Sequence, residues 1–442
     1  MHFHPVSALL CSLALFTTFT VRSNAAETSS PIDWPDWRGP ANNGHVPVEW
    51  NGKKLELPLT WNEANKENIA WKTPLPGKGH STPAIGEGRV WVTSATPDGK
   101  ESWVYGLNLS DGKIFFQTKL FENPSPEPLG NAVNTYASPS PALEPGRVYI
   151  HFGSYGTAAL DSKTGKTIWT RRDLPCRHYR GPGSSPFIYK NLLIITMDGV
   201  DQQYVAALDK ATGKTVWKTN RSTPWDDIQP DGKPKAEGDF RKSFNTPVLI
   251  ESSTGPLLLS VASRMAFAYK PETGEEIWKY ALREHSCSSR PLFDKERLYI
   301  NTGYGKAHLL AIKFDPAAKG DISSTPILWE ITRNISSRAS SLLTSNRIFS
   351  IDEGGVATCV ESATGKELWR ERLPGKFTSS PIIFQDRIYS CNEGGQTYVM
   401  EASDTYKLLA KNELAEGVFS SPAVGGNKII LHTTGGVYAV GK

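Results

Sequence analysis

Apolar residues in this chain fall into short runs, rich in β-branched and aromatic types, that stop at Gly, Asp or Pro. That is the pattern of strands joined by tight turns. Four such runs follow one another in Ser380–Phe384, Arg387–Cys391, Thr397–Glu401 and Lys407–Leu409. The pattern repeats. Ala159 to Trp169 reads Ala-Leu-Asp-Ser-Lys-Thr-Gly-Lys-Thr-Ile-Trp and returns as Ala207 to Trp217, Ala268 to Trp278 and Cys359 to Trp369. Weaker copies span Gly106 to Phe116 and Met400 to Leu409. Self-similarity at this period marks a repeat architecture.

A second motif, hydroxyl residues followed by Pro, precedes each copy. It falls at Pro83, Pro141, Pro186, Pro247, Pro291, Ser341, Pro381 and Pro422, which gives eight units spaced 40 to 61 residues apart. Four short strands per unit predict an all-β, eight-bladed propeller of four-stranded antiparallel blades. The last unit stops three strands after Pro422, while Asn68 to Lys72 supplies a spare strand with its own Trp71. Pairing the two closes the ring and removes two exposed edges. The Thr-Gly pairs place Gly165, Gly213, Gly274 and Gly365 where a tight turn needs positive φ. Trp169, Trp217, Trp278 and Trp369 then lie on outer strands and pack against the next blade.

Composition agrees. Among 442 residues, 38 Gly and 31 Pro are too many for a helical bundle, and 10% aromatic content is too high for a disordered chain. A net charge of +4 without long basic runs makes nucleic acid an unexpected partner. Val6 to Phe19, an apolar stretch too short to span a bilayer, precedes Ser23-Asn24-Ala25-Ala26 and reads as an export signal cleaved after Ala25. The expected organisation is a signal peptide at 1–25, an N-terminal extension at 26–65 and the propeller at 66–442. No later stretch suggests a transmembrane segment, and the export signal makes a periplasmic or extracellular location the expectation. Cys176, Cys287, Cys359 and Cys391 are too scattered for a disulfide scaffold or a zinc site and read as buried thiols, with any pairing left open. Gly165-Lys166-Thr167 and Gly213-Lys214-Thr215 lack the first glycine of a phosphate-binding loop, and no hydrolase or zinc-protease motif occurs.

The repeat resembles that of the pyrroloquinoline quinone (PQQ)-like propellers, over roughly residues 68 to 442. Asp33 to Pro40 and Arg180 to Pro186 are similar to segments of secreted members. That family includes quinoprotein dehydrogenases and the non-catalytic assembly factor BamB, so the resemblance implies the fold more sharply than an activity. Many of the dehydrogenases clamp PQQ against a disulfide of adjacent cysteines beside Ca²⁺. This sequence has no adjacent cysteines and few acids near the inner strands, with Glu284 and Glu416 the nearest. No cofactor is expected, and PQQ with calcium is the alternative.

Propeller topology puts every Thr-Gly turn on one face and the long interblade loops, Leu120 to Tyr136 and Asn220 to Lys242, on the other. Loops on a rigid scaffold carry binding. Ahead of the inner strands stand His80, Arg180, His285, Arg290, Arg338 and Lys376, interleaved with Ser81, Ser184, Ser289, Ser337 and Ser379. Cations and hydroxyls converging there suit an anionic ligand or acidic peptide. The same hydroxyls could instead only satisfy strand ends around a solvated pore lip. Trp225 offers a stacking surface for a saccharide. The expected function is an exported scaffold that binds a protein, peptide or saccharide without catalysis; a PQQ- and calcium-dependent dehydrogenase is the alternative.

Overall fold

The computed structural model describes residues 1–2, 33–50 and 52–442. The export signal expected at 1–25 thus lies outside the described residues, its first two apart. Among the described residues eight antiparallel sheets of four strands form the blades, two of them carrying a short fifth strand in parallel. No helix among these residues is long and apolar enough to cross a membrane.

The third blade shows why the sequence folds this way. Its strands are Phe187–Tyr189, Leu192–Asp198, Gln203–Asp209 and Thr215–Asn220. Neighbouring blades cover both faces of the second strand, so its residues are buried without alternation. The outer strand reaches the rim and exposes four of its six residues, with Trp217 buried among them. Its entry turn is built by Asp209, whose carboxylate accepts the Thr212 N–H at 2.9 Å and hydroxyl at 2.7 Å. The Asp209 carbonyl accepts the Gly213 N–H at 2.8 Å.

Repeat Trp and Gly meet across blade boundaries. Trp169 donates its indole N–H to the Lys210 carbonyl of the next blade at 2.9 Å. A Cβ on Gly213, already at φ 72°, would stand 2.7 Å from that ring. The same contact joins Trp71 to Gly112, Trp217 to Gly274 and Trp329 to Gly365. The glycine is needed twice, for its φ and for the neighbour's indole. Blade five departs from this rule. Its turn carries the Asp315 to Thr325 insertion, and Gly320–Asp321 extends the outer strand Glu276–Ala281 of blade four, opposite Trp278.

Gly213→Ala is expected to cost about 2 kcal/mol from φ strain and crowding, and Trp169→Ala about 3 kcal/mol from lost burial. Because the two residues share one contact, the double variant should lose less than the sum. Urea unfolding measures this; additivity within about 0.5 kcal/mol would disprove the coupling.

From residue 33 the extension is part of the propeller. Trp34 exchanges backbone hydrogen bonds with Ile85 of blade one, both at 2.8 Å, and the Pro35 carbonyl accepts from Leu143 of blade two at 2.8 Å. Arg38 donates to the Pro381 carbonyl at 2.7 Å. His45–Val46 then pairs in parallel with Ile382–Phe384 of blade seven. The segment therefore crosses the end of the channel opposite the interblade loops and blocks it. Leu55, Leu57 and Trp61 bury themselves against the last two blades. Ile69–Pro74 finally pairs with Gly436–Gly441 as the expected closing strand, Trp71 opposite Ala439.

Candidate functional site: a blind cup on the loop-rich face

The blocked channel leaves a cup of about 550 Å³ open toward the interblade loops, with Trp37 among its lining residues. Its waist follows from the hydroxyl-Pro motif. Proline has no N–H, but the residue before it does, and in seven of the eight blades that residue donates to the hydroxyl of the next blade. Thr82 donates to Ser140 and Ser140 to Ser185, each at 2.9 Å, and Ser185 to Thr246 at 2.8 Å. Arg290 donates to Ser340 at 2.8 Å and Ser340 to Ser380 at 2.9 Å. Ser380 donates to Ser421, and Ser421 back to Thr82, at 3.1 Å each. The circle breaks once, between Thr246 and Arg290, because position 290 carries a guanidinium instead of a hydroxyl.

Arg290 turns to the plug. It is 3% exposed, meets Asp36 at 3.0 Å and lies 5.4 Å from the Trp37 ring centre. Arg38, also buried, donates its backbone N–H to the Asp36 carboxylate at 2.8 Å; burial, then the Arg290 charge, brings its pKa down to about 9.

Three cations line the mouth. Arg180 donates to the Gly130 carbonyl at 2.7 Å and stands 3.8 Å from Asp239. Lys242 is ion-paired with Asp239, and burial lowers its pKa. Arg338 lies 3.4 Å from the Thr378 hydroxyl and 3.9 Å from Glu393. His80 stacks on Phe419 at 4.5 Å, and burial, then His432, holds its pKa at about 4. His285 packs edge-on to Phe240 and is lowered to about 4 by burial, then Lys242. Both imidazoles are thus neutral at neutral pH. The lining holds three cations, Arg180, Lys242 and Arg338, against one carboxylate, Asp239.

Of the residues expected at the mouth, His80, Arg180, His285 and Arg338 line the cup. Three need correction. Arg290 is buried with the plug, because the plug supplies its carboxylate. Lys376 is exposed and outside the lining. Trp225 is also outside it, with Arg241 at 5.2 Å over its ring and that arginine tied to Asp227 at 3.0 Å. The lining hydroxyls stand mostly one residue nearer the proline than Ser81, Ser184, Ser289 and Ser379, although Ser337 does line the cup. Sequence reasoning missed Trp37, Asp239 and Lys242. The last two lie in a loop flagged for its length, and Trp37 in a segment without repeats.

The cup's residues do not fit a calcium–quinone centre. Among the described residues no three His, Cys, Asp or Glu side chains are grouped to hold a metal ion, whereas a hard cation needs several oxygen ligands. Cys176, Cys287, Cys359 and Cys391 are separate buried thiols.

A family model described as outer membrane protein assembly factor BamB matches residues 59–186, 201–344 and 326–441. The protein of that name from Legionella pneumophila (strain Paris) is 22% identical over 207 residues, 44% of this chain and 50% of that protein. The chain thus spans half the length of that relative. The solved structure of BamB from Moraxella catarrhalis matches with a TM-score of 0.57 at 13% identity, over 84% of this chain and 95% of that one. Quinohemoprotein alcohol dehydrogenase from Comamonas testosteroni matches with a TM-score of 0.62 at 14% identity, over 95% of this chain and 81% of that one. Such identities establish a shared fold and leave the site to be argued from its own residues.

Proposed function

This chain belongs to the family described as outer membrane protein assembly factor BamB, and from that premise we propose that it is an exported, non-catalytic binding propeller whose cup holds an acidic segment of a partner protein. The observation that carries this reading is the lining charge: three cations face one carboxylate, and both histidines are neutral. Arg180 and Arg338 are about one-third exposed, so their heads reach solvent and a ligand. A saccharide is less well supported, since Arg241 already covers one face of Trp225.

A short fluorescein-labelled peptide rich in Glu tests this by anisotropy. Binding should be saturable, weaken with salt, and fall at least about tenfold in Arg180→Ala/Arg338→Ala. Equal binding of a Lys-rich peptide, or an unchanged double variant, would overturn the reading. Saturable, calcium-dependent PQQ binding with alcohol-dependent dye reduction would replace it with the dehydrogenase reading.

A further inference from the structure

Below the cations, Thr82, Ser140, Ser185, Thr246, Ser380 and Ser421 line the cup, each at most 5% exposed. Every one of these hydroxyl oxygens accepts a backbone N–H from the preceding blade. Once that lone pair is used, the hydroxyl still has a proton to give. Among the described residues none of the six has a protein acceptor for it. Buried donors without acceptors are costly and uncommon, yet here six of them surround one cavity. The backbone bonds also fix each oxygen, so the ring is organised before any ligand arrives.

We propose that this belt is an oxyanion receptor: its hydroxyls donate to a carboxylate, phosphate or sulfate group that enters past Arg180 and Arg338. The inference deepens the acidic-ligand reading and rests on it, by naming the group that is seated and where. The belt supplies acceptor recognition by neutral donors, and the cations at the mouth supply attraction. Such a division places the charge-compensating groups at the solvent-exposed mouth and the directional donors deeper in the cup.

Inorganic sulfate, methyl phosphate and N-acetylglycine, each titrated calorimetrically against chloride at equal ionic strength, test the belt and separate the three anion sources. At least one should bind saturably. Ser380→Asp keeps an oxygen for the Ser340 N–H but adds a negative charge, and should weaken that anion at least about tenfold; Ser380→Thr keeps the donor and should bind as the unaltered protein does. Binding that persists in a folded Ser380→Asp protein, or no binding of any of the three probes, overturns the proposal. If Ser380→Asp does not fold, a crystal of the unaltered protein soaked in selenate decides: an anomalous peak within the belt supports the receptor, and its absence refutes it. The Glu-rich peptide keeps the two readings apart. Should it bind while the small anions do not, the belt fails and the acidic-ligand reading stands; should neither bind, both fail.

Discussion

A chain that begins at Leu75 should not fold into a propeller, whereas the same residues moved to the other end should restore it. Truncation removes Trp34, Leu55, Leu57, Trp61 and Trp71, all at most 8% exposed and all in one apolar cluster with blades one, seven and eight. At about 1.5–3 kcal/mol for each buried side chain, the loss is about 10 kcal/mol. A typical domain has only about 5–15 kcal/mol in total. Truncation also strips Gly436–Gly441 of its partner strand and exposes an edge. The expected product is aggregated protein without a cooperative melt. In the rearranged chain, residues 33–74 follow Lys442 through a short turn. The join is geometrically short: Asp33 lies against the backbone of Gly426, and Gly441 pairs with Lys428 of the same hairpin. The last blade would then draw all four of its strands from one end of the chain. Near-ultraviolet circular dichroism and thermal melts check both chains. A stable, monomeric truncated chain would mean that the plug and strap are dispensable.

Acid should unfold the protein through buried histidines that do not line the cup. His151, His178 and His432 are at most 8% exposed. Burial lowers them to about 3, 4 and 4, and His178 lowers His151 further by charge repulsion. The His178 Nε2 atom accepts the Ser154 N–H at 3.0 Å, a bond that protonation would break. The sign follows from proton uptake. Between about pH 6.5, where an unfolded imidazole titrates, and the folded values, the unfolded chain binds more protons. Stability is complete above that window and is lost as pH falls through it. At about pH 5 each histidine costs about 2 kcal/mol, and the three together cost about 6 kcal/mol. Thermal melts from about pH 7.5 down to 4.5 should show a steep fall in midpoint, and His432→Gln should flatten part of it. A midpoint that holds steady to about pH 5 would contradict the assignment.

Much of this architecture can be read from sequence because each blade repeats the same solution to the same local problem. Asp209, Thr212 and Gly213 build a turn from residues within five positions, and Trp169 meets the corresponding turn one repeat later. Strand order, the closing strand and the loop-rich face follow from that period. The plug does not, because its partners are remote and occur once: Arg38 meets Pro381 across 343 positions, and Arg290 meets Asp36 across 254. The belt lies between these extremes. Its hydroxyls stand in the sequence ahead of the prolines, but which of the two in each pair faces the cup is set by the blade-to-blade bonds. Arg290 was legible as the one residue among eight equivalent positions that is not Ser or Thr. Its role was not, since the carboxylate that explains it comes from outside the repeat.

The Ser421 to Thr82 bond has a consequence for how such a molecule comes apart. It joins residues 339 positions apart and makes blade one the neighbour of blade eight. An open row of repeats frays from its terminal units, each of which has a single neighbour. A circle has no terminal unit, so every blade sits between two others and none is the natural place to begin. Opening any boundary converts the circle to a row and creates two weak ends at once. The first rupture is therefore the costly one and those after it are cheaper, which makes unfolding a single event for eight blades.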